Sequence, residues 1–167
     1  MIINRNTLLA HTPIKNMFNS KQTANGVTFG MSEAGYDIRI KQRIVFSELY
    51  TQRTVYISDI VERKTTPGRF ALGSSIEEFQ MPNNLVGVVH DKSTWARRGL
   101  SVFNTVIESG WCGFLTLELV YHGADTLVIP AGSGIAQVIF HETSDTATYD
   151  GRYQNQPNCP VEAIQAR

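Results

Sequence analysis

The chain is predicted to be all-β, a barrel or sandwich of short strands. Three observations predict this. Many short runs are rich in Val, Ile, Thr, Phe and Tyr. Gly/Pro/Asn/Asp turn signals separate them at close spacing. No alternation of strand and helix patterns appears, so a parallel βαβ sheet is not expected. The length of 167 residues suits one domain, taken here as 1–167 with a tail at 157–167.

The elements follow in chain order. Asn6-Thr7-Leu8-Leu9 suggests a short helix before the first strand. Tyr36-Asp37-Ile38-Arg39-Ile40 alternates as a half-buried strand does. Further strands are expected over 43–46, 54–60, 69–72, 85–90, 100–104, 114–121, 126–129 and 135–140. Thr66-Pro67-Gly68, Pro82-Asn83-Asn84, Glu108-Ser109-Gly110, His122-Gly123-Ala124-Asp125 and Pro130-Ala131-Gly132-Ser133-Gly134 mark the turns between them. Asp91-Lys92-Ser93-Thr94-Trp95-Ala96-Arg97-Arg98-Gly99-Leu100 breaks the pattern and reads as one helical turn. Asp91 or Ser93 is placed to cap it, and Gly99 to end it. The tail beyond Pro157 is expected to be loosely held.

Composition excludes several classes. Lys plus Arg and Asp plus Glu each total 15, so the formal net charge is zero. Coating of nucleic acid or anionic membrane rests on summed positive charge and is not expected. Apolar residues make up 42%, enough for a core. Charged residues are only 18%, a share that suits a subunit burying surface in an oligomer. Two cysteines, Cys112 and Cys159, make neither a disulfide scaffold nor a structural zinc site. The first residues lack the unbroken apolar run of a secretory leader, and no stretch approaches the length of a membrane span. A soluble cytoplasmic protein is the expectation.

Three places could carry chemistry. Lys92-Ser93-Thr94 and Arg97 put two cations and two hydroxyls on one turn, as a phosphate cradle requires, although solvated surface turns also carry such clusters. In Gly113–Tyr121, Leu115, Leu117 and Leu119 share one face, while Thr116, Glu118 and Val120 share the other. Glu118 is ordinary if its face is solvated and a candidate general base if that face lines a pocket. Alternation leaves both open. Glu108-Ser109-Gly110-Trp111 sets a second carboxylate beside a flat ring, which can be a sugar platform or a core plug. Zinc chemistry fits poorly. The zinc nucleobase deaminases pair His/Cys-x-Glu with Pro-Cys-x-x-Cys, and no second Cys stands near Cys159. No Walker A, G-x-G-x-x-G or G-x-S-x-G motif occurs.

Five segments in order resemble the trimeric dCTP deaminase and dUTPase superfamily, and most closely its dCTP deaminase branch. They are Glu33-Ala34-Gly35-Tyr36-Asp37-Ile38-Arg39; the run Asp91–Leu100; Glu108-Ser109-Gly110-Trp111-Cys112-Gly113-Phe114-Leu115-Thr116-Leu117-Glu118; Gly134-Ile135-Ala136-Gln137; and Gly151-Arg152-Tyr153-Gln154-Asn155-Gln156. They are similar to the family's GYDIR, [RK]-S-[ST]-x-A-R-x-G, D/E-P-x-W-x-G-x-x-T-L-E, G-x-A-Q and G-K-Y-Q-x-Q elements, and span residues 26–156. Each is weak alone; together, in order, they are specific.

The resemblance implies a distorted β-barrel or jelly-roll subunit of dUTPase-like fold, with a few short helical turns, forming a homotrimer with active sites between subunits. It implies zinc-independent hydrolytic deamination of dCTP to dUTP and ammonia, feeding dUMP and dTTP synthesis. Glu118 would be the base, Ser93 would hold the water and Arg97 would orient and charge-pair with Glu118. Lys92, Ser93, Thr94 and Gln137 would hold phosphates, and Mg²⁺ would arrive on the triphosphate. Glu108 would accept the sugar 3′-OH, and Trp111 would pack under the deoxyribose against a 2′-OH. Arg152, Tyr153 and Gln156 would belong to a closing tail. dTTP is the expected feedback inhibitor.

The chain departs from the pattern at several points. Lys92 stands where many relatives have Arg, and Arg152 where they have Lys. Tyr149 lies closer to Arg152 than the corresponding family Tyr, so it is not assigned a phosphate. Glu108 takes the place of the Asp that activates water in dUTPases. Those enzymes usually have Tyr at the Trp111 position and nothing matching Glu118. The Glu108 and Glu118 pair makes a dUTPase or a bifunctional enzyme, releasing dUMP and pyrophosphate, the alternative. A non-enzymatic nucleotide-sensing trimer is disfavoured by the intact Ser93, Arg97 and Glu118 set.

Overall fold

A computed structural model describes residues 1–49, 52–60, 63–103 and 105–165. Its strands are β1 Ile2–Ile3, β2 Lys21–Ala24, β3 Val27–Met31, β4 Tyr36–Arg39, β5 Arg43–Leu49, β6 Gln52–Ser58, β7 Arg63–Pro67, β8 Phe70–Gln80, β9 Leu85–Asp91, β10 Leu100–Val102, β11 Val106–Ile107, β12 Cys112–Tyr121, β13 Leu127–Ile129 and β14 Gly134–Glu142. The helices are short: α1 Arg5–His11 and α2 Ser93–Ala96. The all-β expectation holds. The strand expected over 100–104 ends at Val102, and Asn104 lies outside the described residues, as do 166 and 167 of the tail.

The strands form three sheets. One runs β11-β9-β14-β4-β3-β2, with β1 also on β14; a second runs β10-β12-β8; a third runs β13-β5-β6-β7. All strand pairs are antiparallel. The core lies between them. Ile38, Val138 and Phe140 come from the first sheet, Phe79, Leu117 and Leu119 from the second, and Ile44, Phe46 and Val55 from the third. Lys41 N–H donates to Ser74 O, joining the end of β4 to β8.

Five strands lie outside the runs named from the sequence pattern: β1, β2, β3, β7 and β11. The β2–β3 turn is Asn25-Gly26, both at positive φ (51° and 74°). This is the hairpin dipeptide that needs φ > 0 at both positions, and it was the local signal to use. β8 is longer than the expected 69–72 because it buries polar residues that sequence patterning reads as loop. Ser74 N–H donates to Gln42 Oε1, Gln42 Nε2 donates to Ser74 Oγ, and Ser75 Oγ donates to Glu77 O. Once satisfied, such groups can stay inside.

Glu77 is the costliest of them. Burial pushes its carboxyl above the ordinary value of 4.5, against the pull of the Arg39 N–H and guanidinium that donate to it at 2.8 Å each. A carboxyl with a raised folded-state pKa favours the native state while protonated, and this contribution fades as pH rises through and above 4.5. The thermal midpoint of wild type, taken relative to Glu77→Gln, is therefore expected to fall between pH 4 and 7. A constant difference would contradict this.

No helix among the described residues is long and apolar enough to cross a membrane.

Candidate active site

β12 carries the alternation that the sequence shows. Leu117 and Leu119 are buried, and Thr116 and Glu118 are half-buried on the opposite face. That face is not open surface. It lines a cavity of about 400 Å³ together with Phe70 and Leu72 of β8, Glu108, Trp111, Tyr149, Tyr153 and Gln156. The strand's two readings are thereby separated: Glu118 faces a cavity. Its backbone is fixed by pairing opposite Leu72 and by Phe103 N–H, which donates to Glu118 O at 3.0 Å.

The turn before β12 sets Glu108 and Trp111. Ser109 Oγ donates to Leu85 O at 2.8 Å, and Trp111 N–H to Glu108 O at 3.1 Å. The Trp111 ring is both plug and platform. It is 6% exposed and packs against Phe79 with centroids 6.0 Å apart, yet it lines the cavity. Its Nε1 donates to Tyr153 O at 2.6 Å.

The tail docks along the start of β12. Asn155 N–H donates to Cys112 O at 2.9 Å, Phe114 N–H to Gln156 O at 3.1 Å, and Cys112 N–H to Gln154 Oε1 at 2.8 Å. Gln156 forms a parallel bridge with Gly113. Gly113 has φ +128°, and a Cβ there would lie 2.5 Å from Gln156 N. Only glycine allows this approach. Beyond Gln156, Val161 N–H donates to Thr116 Oγ1 at 3.1 Å, and Val161 and Ala163 also line the cavity. Arg152 points elsewhere: its Nη1 donates to Ile164 O at 2.6 Å. From Pro157 on, the described residues are mostly exposed, and Ile164 N–H adds a second anchor by donating to Tyr153 OH at 3.0 Å.

A second cluster gathers the remaining candidates. α2 is held by Trp95, 2% exposed, whose Nε1 donates to Gly134 O at 2.6 Å. The helix N-cap is Lys92, with no side-chain cap bond. Neither Asp91 nor Ser93 caps it as expected; Asp91 Oδ1 instead accepts from Val102 N–H at 2.7 Å, at the end of β10. Lys92 Nζ is ion-paired with Asp37 Oδ2, and Asp37 lies opposite Gln137 in the β4–β14 ladder. Gln137 Nε2 donates to Ser32 Oγ at 3.0 Å. Ser93, Thr94 and Arg97 are exposed.

The candidates therefore fall into two groups. Glu108, Trp111, Glu118, Tyr153 and Gln156 meet in the cavity. Lys92, Ser93, Thr94, Arg97 and Gln137 do not line it, and Arg97 forms no ion pair with Glu118 within one chain. Sequence reasoning gave no role to Asp37, although it stands in a quoted motif, and passed over Thr116, Leu72 and Val161. It left Tyr149 unassigned; Tyr149 lines the cavity and its OH accepts from Tyr153 N–H at 3.4 Å. Among the described residues no three His, Cys, Asp or Glu side chains gather as a metal site.

Comparison with known proteins agrees with these motifs. Residues 9–143 match the family model described as dCTP deaminase-like. The dCTP deaminase of Roseiflexus castenholzii is 33% identical over 159 residues, covering 83% of this chain and 84% of that protein. The dCTP deaminase of Chlamydia trachomatis serovar D is 36% identical over 154 residues, covering 81% and 79%. Among solved structures, native EIAV dUTPase superposes with a TM-score of 0.51 at 19% identity, covering 86% of this chain and 95% of that one. A mutant dUTPase from phage phi11 of S. aureus, whose structure concerns coordination of a structural Mg(II) ion, gives 0.52 at 15% identity, covering 72% and 84%. At such identities the structural likeness speaks for the dUTPase-like fold, and the sequence likeness over most of the chain speaks for the branch. The chain belongs to the dCTP deaminase-like family.

Proposed function

We propose that this protein hydrolyses dCTP to dUTP and ammonia, within a homotrimer whose active sites lie between copies. One observation carries the reading: the Glu118 carboxylate enters a cavity shared with Glu108 and Trp111, while the cations and hydroxyls a triphosphate needs stand apart, on α2 and at its two caps. A site complete in one chain would bring both groups together. A neighbour's α2 laid against the cavity completes it. Phe70, Phe103 and Val106 support that contact. All are apolar and half exposed, two of them at the cavity, with the Phe70 and Phe103 rings 6.5 Å apart.

The chemistry follows from the groups available. Cytosine C4 is a poor electrophile until N3 gains a proton. Glu118 takes a proton from water and delivers it to N3 as the water oxygen bonds to C4. The second water proton passes to N4, and ammonia leaves as the C4 carbonyl forms. Ser93 of the neighbouring copy holds the water. The neighbour's Arg97 pairs with Glu118 and keeps it ionised. Lys92, Ser93, Thr94 and Gln137 bind the phosphates, with Mg²⁺ carried on the triphosphate as part of the substrate. Glu108 accepts the 3′-OH, and Trp111 packs beneath the deoxyribose where a 2′-OH would clash. Arg152, Tyr153 and Gln156 belong to the closing tail. The product feeds dUMP and dTTP synthesis in the cytoplasm, with dTTP as the feedback ligand.

Ammonia and pyrophosphate followed together, with dCTP and with dUTP, test the reading. Ammonia from dCTP without pyrophosphate is expected. Intact dCTP alongside cleaved dUTP would overturn it in favour of a dUTPase.

A further inference from the structure

Asp37 is 4% exposed and sits in β4, between β3 on one side and β14 on the other, opposite Gly30 and Gln137. Its carboxylate is half satisfied. Oδ2 accepts from Lys92 Nζ, while Oδ1 is buried with no hydrogen-bond partner among the described residues. A buried carboxylate with an orphan oxygen is costly. Lys92, with an 11% exposed side chain, reaches it from the residue preceding α2.

We infer that Asp37 is a positioning residue: it holds the Lys92 ammonium at the triphosphate site. This rests on the reading of Lys92 as a phosphate contact. A lysine is a point charge on a flexible stem, so its worth to a phosphate depends on where it is held. A rigid strand supplies that placement through Asp37, and the ordering cost is met during folding instead of at binding. The same ladder sets Gln137 opposite Asp37, so the two phosphate-facing groups share one frame. A competing role, simple neutralisation of Lys92, has the opposite sign. A carboxylate beside a triphosphate repels it, so its removal would then tighten binding.

The test uses inorganic triphosphate with Mg²⁺, titrated calorimetrically into the full-length protein, beside KM and kcat for dCTP. Asp37→Asn is expected to weaken triphosphate binding and raise KM about tenfold, with kcat within about twofold. Asp37→Glu keeps the charge but shifts the ammonium by one methylene, and is expected to weaken binding about threefold. The Asp37→Asn, Lys92→Gln double variant leaves no buried charge and is expected to bind within about twofold of Asp37→Asn alone. Unchanged or tighter binding by Asp37→Asn overturns the inference, even if its melting temperature falls. So does a further tenfold loss in the double variant, because Lys92 would then work without Asp37. Calorimetry requires no turnover, so absent ammonia release would defeat the deaminase reading while leaving this result readable.

Discussion

Glu118→Gln is expected to lower ammonia release from dCTP by about 10²- to 10⁴-fold, the range that a positioned general base contributes. Gln keeps the length and hydrogen bonding of the side chain and removes only its capacity to take a proton. The residue is half-buried on a cavity-facing strand whose pairing its side chain does not support. Stability is therefore expected to change by no more than about 0.5 kcal/mol. Binding of dCTP should survive, since the phosphate and sugar contacts are made elsewhere. The separation matters: a large loss in kcat with intact folding and binding marks chemistry, whereas joint loss marks damage to the site. A Glu118→Gln variant that deaminates at the wild-type rate would remove Glu118 from the mechanism.

Gly113→Ala has the next largest expected effect, and acts through geometry. The φ of +128° is strained for any residue with a side chain, and the added Cβ would meet the Gln156 backbone at 2.5 Å. Neither partner can yield cheaply. Gly113 is within β12, whose opposite neighbour is Phe79 of β8. The tail must therefore lift, breaking the Asn155 and Gln156 backbone bonds and freeing Trp111 Nε1 from Tyr153. Loss of Tyr153 and Gln156 from the cavity wall is expected to lower kcat/KM about 100-fold, since small misplacement of a closing element is costly. Limited proteolysis within 150–165 should accelerate while the core stays resistant. Wild-type activity with a released tail would show that docking does not serve the site.

How much of this was legible depended on the range of the interactions. β12 was legible because its alternation is local, and the structure repeats it with Leu117 and Leu119 inside. The helical turn at Ser93–Ala96 was legible from its break with the β pattern, and Gly99, at φ +84°, ends it as expected. Its cap was not, because Asp91 is drawn away by Val102, a residue on the next strand. β8 was hidden for the same reason. Glu77 can be buried only because Arg39 arrives from another sheet, and no window around Glu77 contains Arg39. The site shows the same divide. The ordered motifs named Glu108, Trp111 and Glu118, which do meet. They also named Lys92 without Asp37, because an ion pair between distant positions leaves no local pattern. Zero net charge is compatible with cations gathered around α2: Lys92, with its carboxylate partner, before the helix and Arg97, exposed, at its C-cap.

The most direct measurement mixes two inactive variants. Glu118→Gln and Arg97→Met, each purified, are unfolded, combined in equal amounts, refolded together and assayed for ammonia release from dCTP. A site made from Glu118 of one copy and α2 of another is whole in about one quarter of the sites after random reassortment of trimers. Roughly a quarter of wild-type activity is therefore the predicted result. A mixture that reassorts, yet stays as inactive as either parent, would contradict a dCTP-deaminating site shared between subunits.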